Sequence, residues 1–322
     1  MAKFGPKLAY FVERSALAGV WLLTIIVFSL VLPGVFLTWG NFSVLFATQA
    51  PGAVLALALI IPLTAGDYDL SVGATLTLSA VIIGVLNAVA QWPVGLVLPV
   101  ALLSGLVMGA VNAFFIVYVR IPSLVVTLGS ASVAAGLVQW ITNSSTISGI
   151  SPALIAIVGY RFLGISLVFY YVLALALAIW VVFEYTPFGR SILFVGRSRE
   201  VARLSGINVD WVRIVCLIAS AMLASVGGIF YAGLLGAADP FSGLNFLLPA
   251  FAAAYLGATS VLPGRFNAWG SLIAVYFLAT GISGLTMLGI PIWVTSVFNG
   301  GALILAVTVS QFARGREETD IV

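Results

Sequence analysis

ISLVFYYVLALALAIWVVF (Ile165–Phe183), TPFGRSILFVGRSREVARLSGINVDWVR (Thr186–Arg213) and VRIVCLIASAMLASVGGIFYAGLL (Val212–Leu235) follow one another along the chain. The outer two are apolar and long enough, as helices, to cross a hydrocarbon core about 30 Å thick. The middle stretch holds Arg190, Arg197, Arg199, Glu200, Arg203, Asp210 and Arg213, seven of the chain's 13 basic and 10 acidic residues. Neither outer run belongs in water and the middle stretch does not belong in lipid. The chain therefore crosses a membrane, surfaces and crosses back. Two readings of the polar stretch stand open: the largest cytoplasmic loop, or the surface through which another protein drives this one.

The rest of the chain repeats the pattern. It has 322 residues, 62% hydrophobic and 7% charged, with no histidine. A soluble domain carries about 25% charged residues, so too little polar surface remains to keep this chain in water. A membrane β-barrel would alternate polar and apolar residues over segments of ~10, and this chain does not. The fold class is all-α and polytopic. Ten spans fit, near 16–37, 42–63, 72–90, 94–118, 122–140, 165–183, 212–235, 243–259, 268–286 and 290–311. Some, such as the third and eighth, are short enough to be broken or tilted. The first run lacks a small-residue cleavage pattern and reads as a retained helix.

Basic residues give the orientation. With both termini cytoplasmic, Lys3, Lys7, Arg14, Arg120, the five arginines of the polar stretch, Arg265, Arg314 and Arg316 fall inside, and Arg161 alone falls outside. That is a strong positive-inside bias. The formal charge of +3 is thus a matter of topology and does not point to nucleic acid. Cys216 stands in an apolar run as a small hydrophobe, and a lone cysteine excludes an internal disulfide. Glycines at Gly105 and Gly109, and at Gly281 and Gly284, allow helices to approach closely. Pro51, Pro62, Pro99, Pro122, Pro249 and Pro291 mark kinks or interruptions.

Three polar features stand out. In Thr64-Ala-Gly-Asp67-Tyr-Asp69-Leu-Ser71-Val-Gly73, Ser71 can cap the next helix and Asp69 adds charge near its N-terminus. The turn reads as a capped re-entrant turn or as part of the translocation path or its gate. Asp239-Pro-Phe-Ser242-Gly243 is a second acidic turn of opposite sense, which predicts two related, inverted halves. In the polar stretch, Ser198 caps a short helix from Arg199 to Ser205, closed by Gly206. Arg199 and Arg203 share one face and Val201 and Leu204 the other. Two turns of helix are not stable alone in water, so the apolar face needs another surface, on this chain or on a partner. Further polar groups inside apolar runs, Asn112, Thr127, Gln139, Ser283 and Asn299, are candidates for the pathway or for contacts between helices. No metal site, nucleophile–base pair or phosphate-binding glycine loop occurs in the sequence, so the chain is expected to be neither an enzyme nor a cofactor carrier.

These motifs resemble one family. Gly66–Gly73, GDYDLSVG, is similar to the Gly-Gly-Ile-Asp-Leu-Ser-Val-Gly signature of bacterial ABC importer permeases for ribose and related monosaccharides. Asp69 to Gly73 match it directly, while Asp67 and Tyr68 depart from it. Arg120-Ile-Pro-Ser-Leu-Val-Val-Thr127-Leu-Gly129 resembles a second family stretch. Arg203-Leu-Ser-Gly206-Ile-Asn208, preceded by Phe188-Gly-Arg190 and Gly196, resembles a third. Leu256-Gly-Ala-Thr-Ser260 is similar to the family's Leu-Gly-Gly-Thr-Ser. The resemblance implies a ten-span permease fold over residues 1–322 with related inverted halves, in the bacterial inner membrane. It implies three kinds of partner: a cytoplasmic ATPase dimer that binds ATP and Mg, a second permease subunit, identical or homologous, and an extracytoplasmic solute-binding protein. Residues 186–213 become the coupling loop, with Ser198, Arg199, Glu200, Val201, Arg203, Leu204, Gly206 and Asn208 as the contact to the ATPase. Asp67, Asp69, Ser71, Asn112, Thr127 and Asn299 become gate or pathway candidates. The implied cargo is a monosaccharide, polyol or related small polar solute. The alternative is a secondary transporter or channel that needs no ATPase.

Overall fold

The computed structural model describes residues 6–291 and 293–319, with side chains from 14 to 291 and from 293 to 309. Lys3, and the side chains of Lys7, Arg314 and Arg316, lie outside the described residues. The helices, in chain order, are α1 (Pro6–Val31), α2 (Trp39–Thr48), α3 (Ala50–Thr64), α4 (Val72–Ile83), α5 (Val94–Ala113), α6 (Ser123–Thr142) and α7 (Pro152–Gly159). They continue with α8 (Leu167–Tyr185), α9 (Pro187–Arg197), α10 (Arg199–Leu204), α11 (Val209–Leu235), α12 (Ser242–Gly257), α13 (Ala268–Met287) and α14 (Trp293–Thr319). The chain is an all-α polytopic membrane bundle. Among the described residues, seven helices are long and apolar enough to span a bilayer, and eight if α2 and α3, separated at Gln49, count as one broken span. Two of the ten runs read from sequence form shorter apolar helices, Ser242–Gly257 and Trp293–Val309.

Contacts divide the chain into two compact units, residues 1–49 with 248–322, and residues 50–247. In the first, the indole Nε1 of Trp21 donates to Thr280 Oγ1 at 2.9 Å, tying α1 to α13. Gly284 faces the ring of Phe28 and Gly281 the ring of Phe298. Asn267 organises the turn before α13: its amide donates to the carbonyls of Gly257 and Ser260, and its Oδ1 accepts from Gly270 N at 2.7 Å.

The second unit is built around α11. Small residues decide its packing, because no hydrophobic force draws helices together in lipid. A Cβ on Gly109 would stand 2.6 Å from the Cα of Ile218, and Gly105 presses on the carbonyl of Ala221. On another side of α11, Gly228 lies on the Leu76 carbonyl and Ser79 Oγ donates to the Ser225 carbonyl at 2.8 Å. Every residue of α3 is buried, as expected of a helix that is apolar all round. α4 and α5 each end in a π-helical turn, Gly84–Val89 and Phe114–Tyr118. In the first of these turns, Asn87 Oδ1 accepts from Ser151 N at 2.7 Å. Two short pairings complete the unit: β1 (Ile147–Ser148) with β4 (Ala237–Ala238), and β2 (Arg161–Phe162) with β3 (Ile165–Ser166), both antiparallel.

Gly109→Ala should lower the thermal stability of the detergent-solubilised protein by about 1–3 kcal/mol, because a methyl group there forces two backbones apart. Gly95→Ala, on the same helix with nothing within 4 Å of the new methyl, should be neutral or slightly stabilising. Equal losses from both would show that α5 and α11 are not in this contact.

Candidate functional site

The polar stretch is more helical than its sequence suggested. Thr186 accepts from Gly189 N at 3.1 Å and Pro187 takes the first helical position, so α9 starts as a capped helix. Ile192 and Val195 are buried while Arg190 and Arg197 face outward. Gly196, near its end, lies against the Thr64 carbonyl at the end of α3, where a side chain would not fit. Ser198 then caps α10, accepting from Val201 N at 3.4 Å, as its sequence predicts. Gly206, at φ +82°, reverses the chain after α10, and Asn208 caps α11 by accepting from Trp211 N at 3.0 Å.

Two arginines of this stretch converge on one carboxylate. Arg213 donates from Nε to Asp67 Oδ2 at 2.7 Å and from Nη2 to Asp67 Oδ1 at 2.8 Å. Arg199 Nη2 donates to Asp67 Oδ1 and to the Gly66 carbonyl, each at 3.0 Å. The Asp67 side chain is 3% exposed and that of Arg213 11%. A buried charge persists only with partners and hydrogen bonds of this quality. The turn after α3 and the polar stretch are therefore clamped together. Beside the clamp opens a cleft of about 570 Å³ lined by Tyr68, Arg120, Ser123, Arg203 and Asp210 among others.

Deeper in the same unit is a second polar cluster. Asp69 Oδ1 accepts from Ser71 N at 3.0 Å and from Ser71 Oγ at 2.6 Å, and Asp69 Oδ2 accepts from Ser220 Oγ at 2.9 Å. Asn112 Nδ2 donates to Ser71 Oγ at 2.8 Å. The sequence predicts Ser71 as the cap of α4, but its hydroxyl makes no capping bond. A capping residue has non-helical backbone angles, whereas Ser71 is already helical at φ −78° and ψ −11°. Its hydroxyl donates to Asp69 and accepts from Asn112 instead. Thr127 is buried too, donating to the Ser123 carbonyl at 2.8 Å. Asn299 belongs to α14, and its Oδ1 has no hydrogen-bond partner among the described residues. Sequence reasoning passed over Arg213 and Ser220. The only signal for Arg213 was a charge a few residues inside an apolar run.

Asp69→Asn keeps an oxygen for Ser71 and offers an NH2 that Ser220 Oγ can accept, so its stability should stay near that of the parent. Asp69→Ala strands the Ser71 N–H and two hydroxyls, at about 1–3 kcal/mol for each group left unpaired. Thermal unfolding of the two variants in one detergent checks this.

Outward from the clamp, α10 turns its apolar residues to solvent. Ala202 is buried, whereas Val201 is 54% and Leu204 89% exposed. Arg203 reaches Asp210 at 3.0 Å in an exposed pair, and such pairs contribute about 0–1 kcal/mol. Nothing in this arrangement activates a nucleophile, and the described residues contain no group of three or more metal-ligating side chains.

Residues 41–307 match the family model of the branched-chain amino acid transport system permease component. The chain belongs to this permease family. The autoinducer 2 import system permease protein LsrC of Salmonella paratyphi B is 31% identical over 302 residues, covering 92% of this chain and 85% of the relative. The xylose transport system permease protein XylH of Escherichia coli K12 is 26% identical over 344 residues, covering 88% of each. No solved structure matches the chain. This family member is thus an ABC importer permease of the sugar-transporting type. It carries a small polar solute across the membrane and performs no chemistry on it.

Proposed function

We propose that the chain, as a single permease domain over residues 1–322, is one of two permease subunits of an ATP-driven importer in a bacterial inner membrane, with both termini cytoplasmic. Residues 186–213 form its coupling loop. Two cytoplasmic ATPase subunits bind ATP and Mg, and an extracytoplasmic binding protein delivers the solute. The cargo is a monosaccharide, a polyol or a related small solute, a reading supported by relatives named for xylose and for autoinducer 2.

One observation carries the coupling assignment. α10 leaves Val201 and Leu204 in solvent while Arg199 at its start is tied to the buried Asp67. A partner that seats on the exposed side and moves would pull directly on the turn between α3 and α4. Ten spans with inverted halves remain the preferred fold: the two shorter apolar helices supply the missing spans. Gly73 and Gly243, each the fourth residue after an acid (Asp69 and Asp239), press on each other's carbonyls, as a local two-fold relation would require. Asp67, Asp69, Ser71, Asn112 and Thr127 act as the fixed frame of the gate. Asp67 is held by two arginines, Asp69 by Ser71 and Ser220, and Thr127 by nearby backbone. Asn112 holds Ser71 through its Nδ2, while its buried Oδ1 has no partner among the described residues. Asn299 is a pathway candidate on α14.

Uptake by proteoliposomes tests this. The chain reconstituted with its ATPase and binding protein should take up a labelled pentose or pentitol only with ATP, and the chain alone should take up none. Flux through the chain alone would identify a secondary transporter or channel.

A further inference from the structure

α11 serves as a depth gauge. Its 27 residues rise about 1.5 Å each, or roughly 40 Å in all. Arg213, near its start, holds Asp67. Ser220 meets Asp69, the Ser225 carbonyl accepts from Ser79, and Gly228 lies on Leu76. The first turns of α4 therefore stand level with the middle of a spanning helix. α12 starts at the same level, because Gly243 N donates to Thr77 Oγ1 at 2.9 Å. Two helices thus begin inside the membrane. Irregular backbone at that depth is tolerated where protein buries it or where it lines a water-filled cavity, and transporters bind solutes at such breaks.

A cavity of about 180 Å³ lies at this break, walled by α4, α6 and the start of α12. Ser132, Gln139, Thr77, Pro240 and Phe241 are among its lining residues. Gln139 is exposed and makes no side-chain hydrogen bond among the described residues. Ser132 Oγ donates to its own helix at Leu128 O, 3.0 Å away, and keeps its lone pairs free. A polar side chain on a spanning helix normally turns toward a partner or water, and this cavity offers the water. No charged side chain lines it.

We infer that this cavity is a passage subsite for one small, uncharged, polyhydroxylated solute. The inference rests on the importer reading above and narrows it. The Gln139 amide can donate to one hydroxyl and accept from another, while Phe241 and Pro240 offer apolar surface to the C–H face of a sugar. An amino acid would bring an ammonium and a carboxylate into a site with no opposite charge for either, and unpaired charges are costly in apolar surroundings. The subsite therefore selects the sugar-like cargo over the zwitterion that the family's description names.

Cysteine labelling tests it, and the chain is suited to the method because its one cysteine, Cys216, is buried. Ser132→Cys and Gln139→Cys are placed in the full chain, in membrane vesicles with the assembled importer. Val133→Cys and Leu137→Cys, exposed on α6 but outside the cavity lining, are the controls. A charged, water-soluble methanethiosulfonate should modify the first two at least about tenfold faster, since thiolate forms only where water reaches. Millimolar D-xylose or ribitol should slow modification of Ser132→Cys, which keeps the Gln139 amide, and L-leucine should not. Equal rates at all four positions overturn the cavity, fast labelling that no pentose or pentitol slows overturns the subsite, and protection by L-leucine alone overturns the solute class. ATP-driven uptake by the unsubstituted importer in the same vesicles is read separately, so failure of the importer reading is distinguishable from failure of the subsite.

Discussion

Arg213→Ala is expected to destabilise the permease by about 3–5 kcal/mol, because it leaves a buried carboxylate without its principal partner. The expectation follows from the burial of Asp67 and from its two bonds of 2.7 and 2.8 Å to one guanidinium. Arg199 reaches the same carboxylate but is 41% exposed, so it supplies less of the attraction and cannot replace the missing fork. Arg213→Lys restores the charge as a single point and should recover only part of the stability. Asp67→Ala combined with Arg213→Ala removes both charges and should be less damaging than the sum of the single changes, with a coupling of about 1–3 kcal/mol in a double-mutant cycle. Thermal unfolding of the solubilised variants gives the values. Additive losses would show that Asp67 and Arg213 do not form the pair.

The second large effect is functional and leaves stability alone. Leu204→Asp, and more so Val201→Asp with Leu204→Asp, should reduce ATP-driven uptake at least about tenfold, as losing a central apolar contact does at an interface. Leu204 is almost fully exposed, so the folded chain has no interior contact there to lose. Membrane insertion and thermal unfolding should therefore match the parent. Asp210→Ala, which removes only the exposed partner of Arg203, should change stability by less than about 1 kcal/mol. A Leu204→Asp variant with reduced stability as well as reduced uptake would mean that Leu204 packs within the chain.

Much of this molecule is written locally. The apolar runs are long and the polar stretch is short, so the membrane class and the long helices are legible from hydropathy, whereas the short α7 and the break between α2 and α3 are not. The cap at Ser198 and the stop at Gly206 are legible for the same reason: each depends on residues a few positions apart. α9 was equally local, with Thr186 and Pro187 as its signature, but the charges around it drew the eye to a loop. The clamp was not legible. Asp67 lies 132 residues from Arg199 and 146 from Arg213, and no local pattern specifies a partner at that distance. Ser71 shows a different difficulty: its residue type suits a cap, but its backbone is already helical and its hydroxyl is held by Asp69 and by Asn112, 41 residues away. The cavity was half legible. Gln139 stood out as an amide in an apolar run, whereas Thr77 and Ser132 resemble any hydroxyl on a membrane helix, and only the meeting of α4, α6 and α12 brings them together.

The central claim is that the exposed side of α10 receives the ATPase. Affinity purification of the chain from its native membranes after mild solubilisation tests it most directly, comparing the parent with Leu204→Asp. The account predicts an ATPase subunit in stoichiometric amount with the parent and its loss from the variant, with the second permease subunit retained in both. Equal recovery of the ATPase with parent and variant would contradict it.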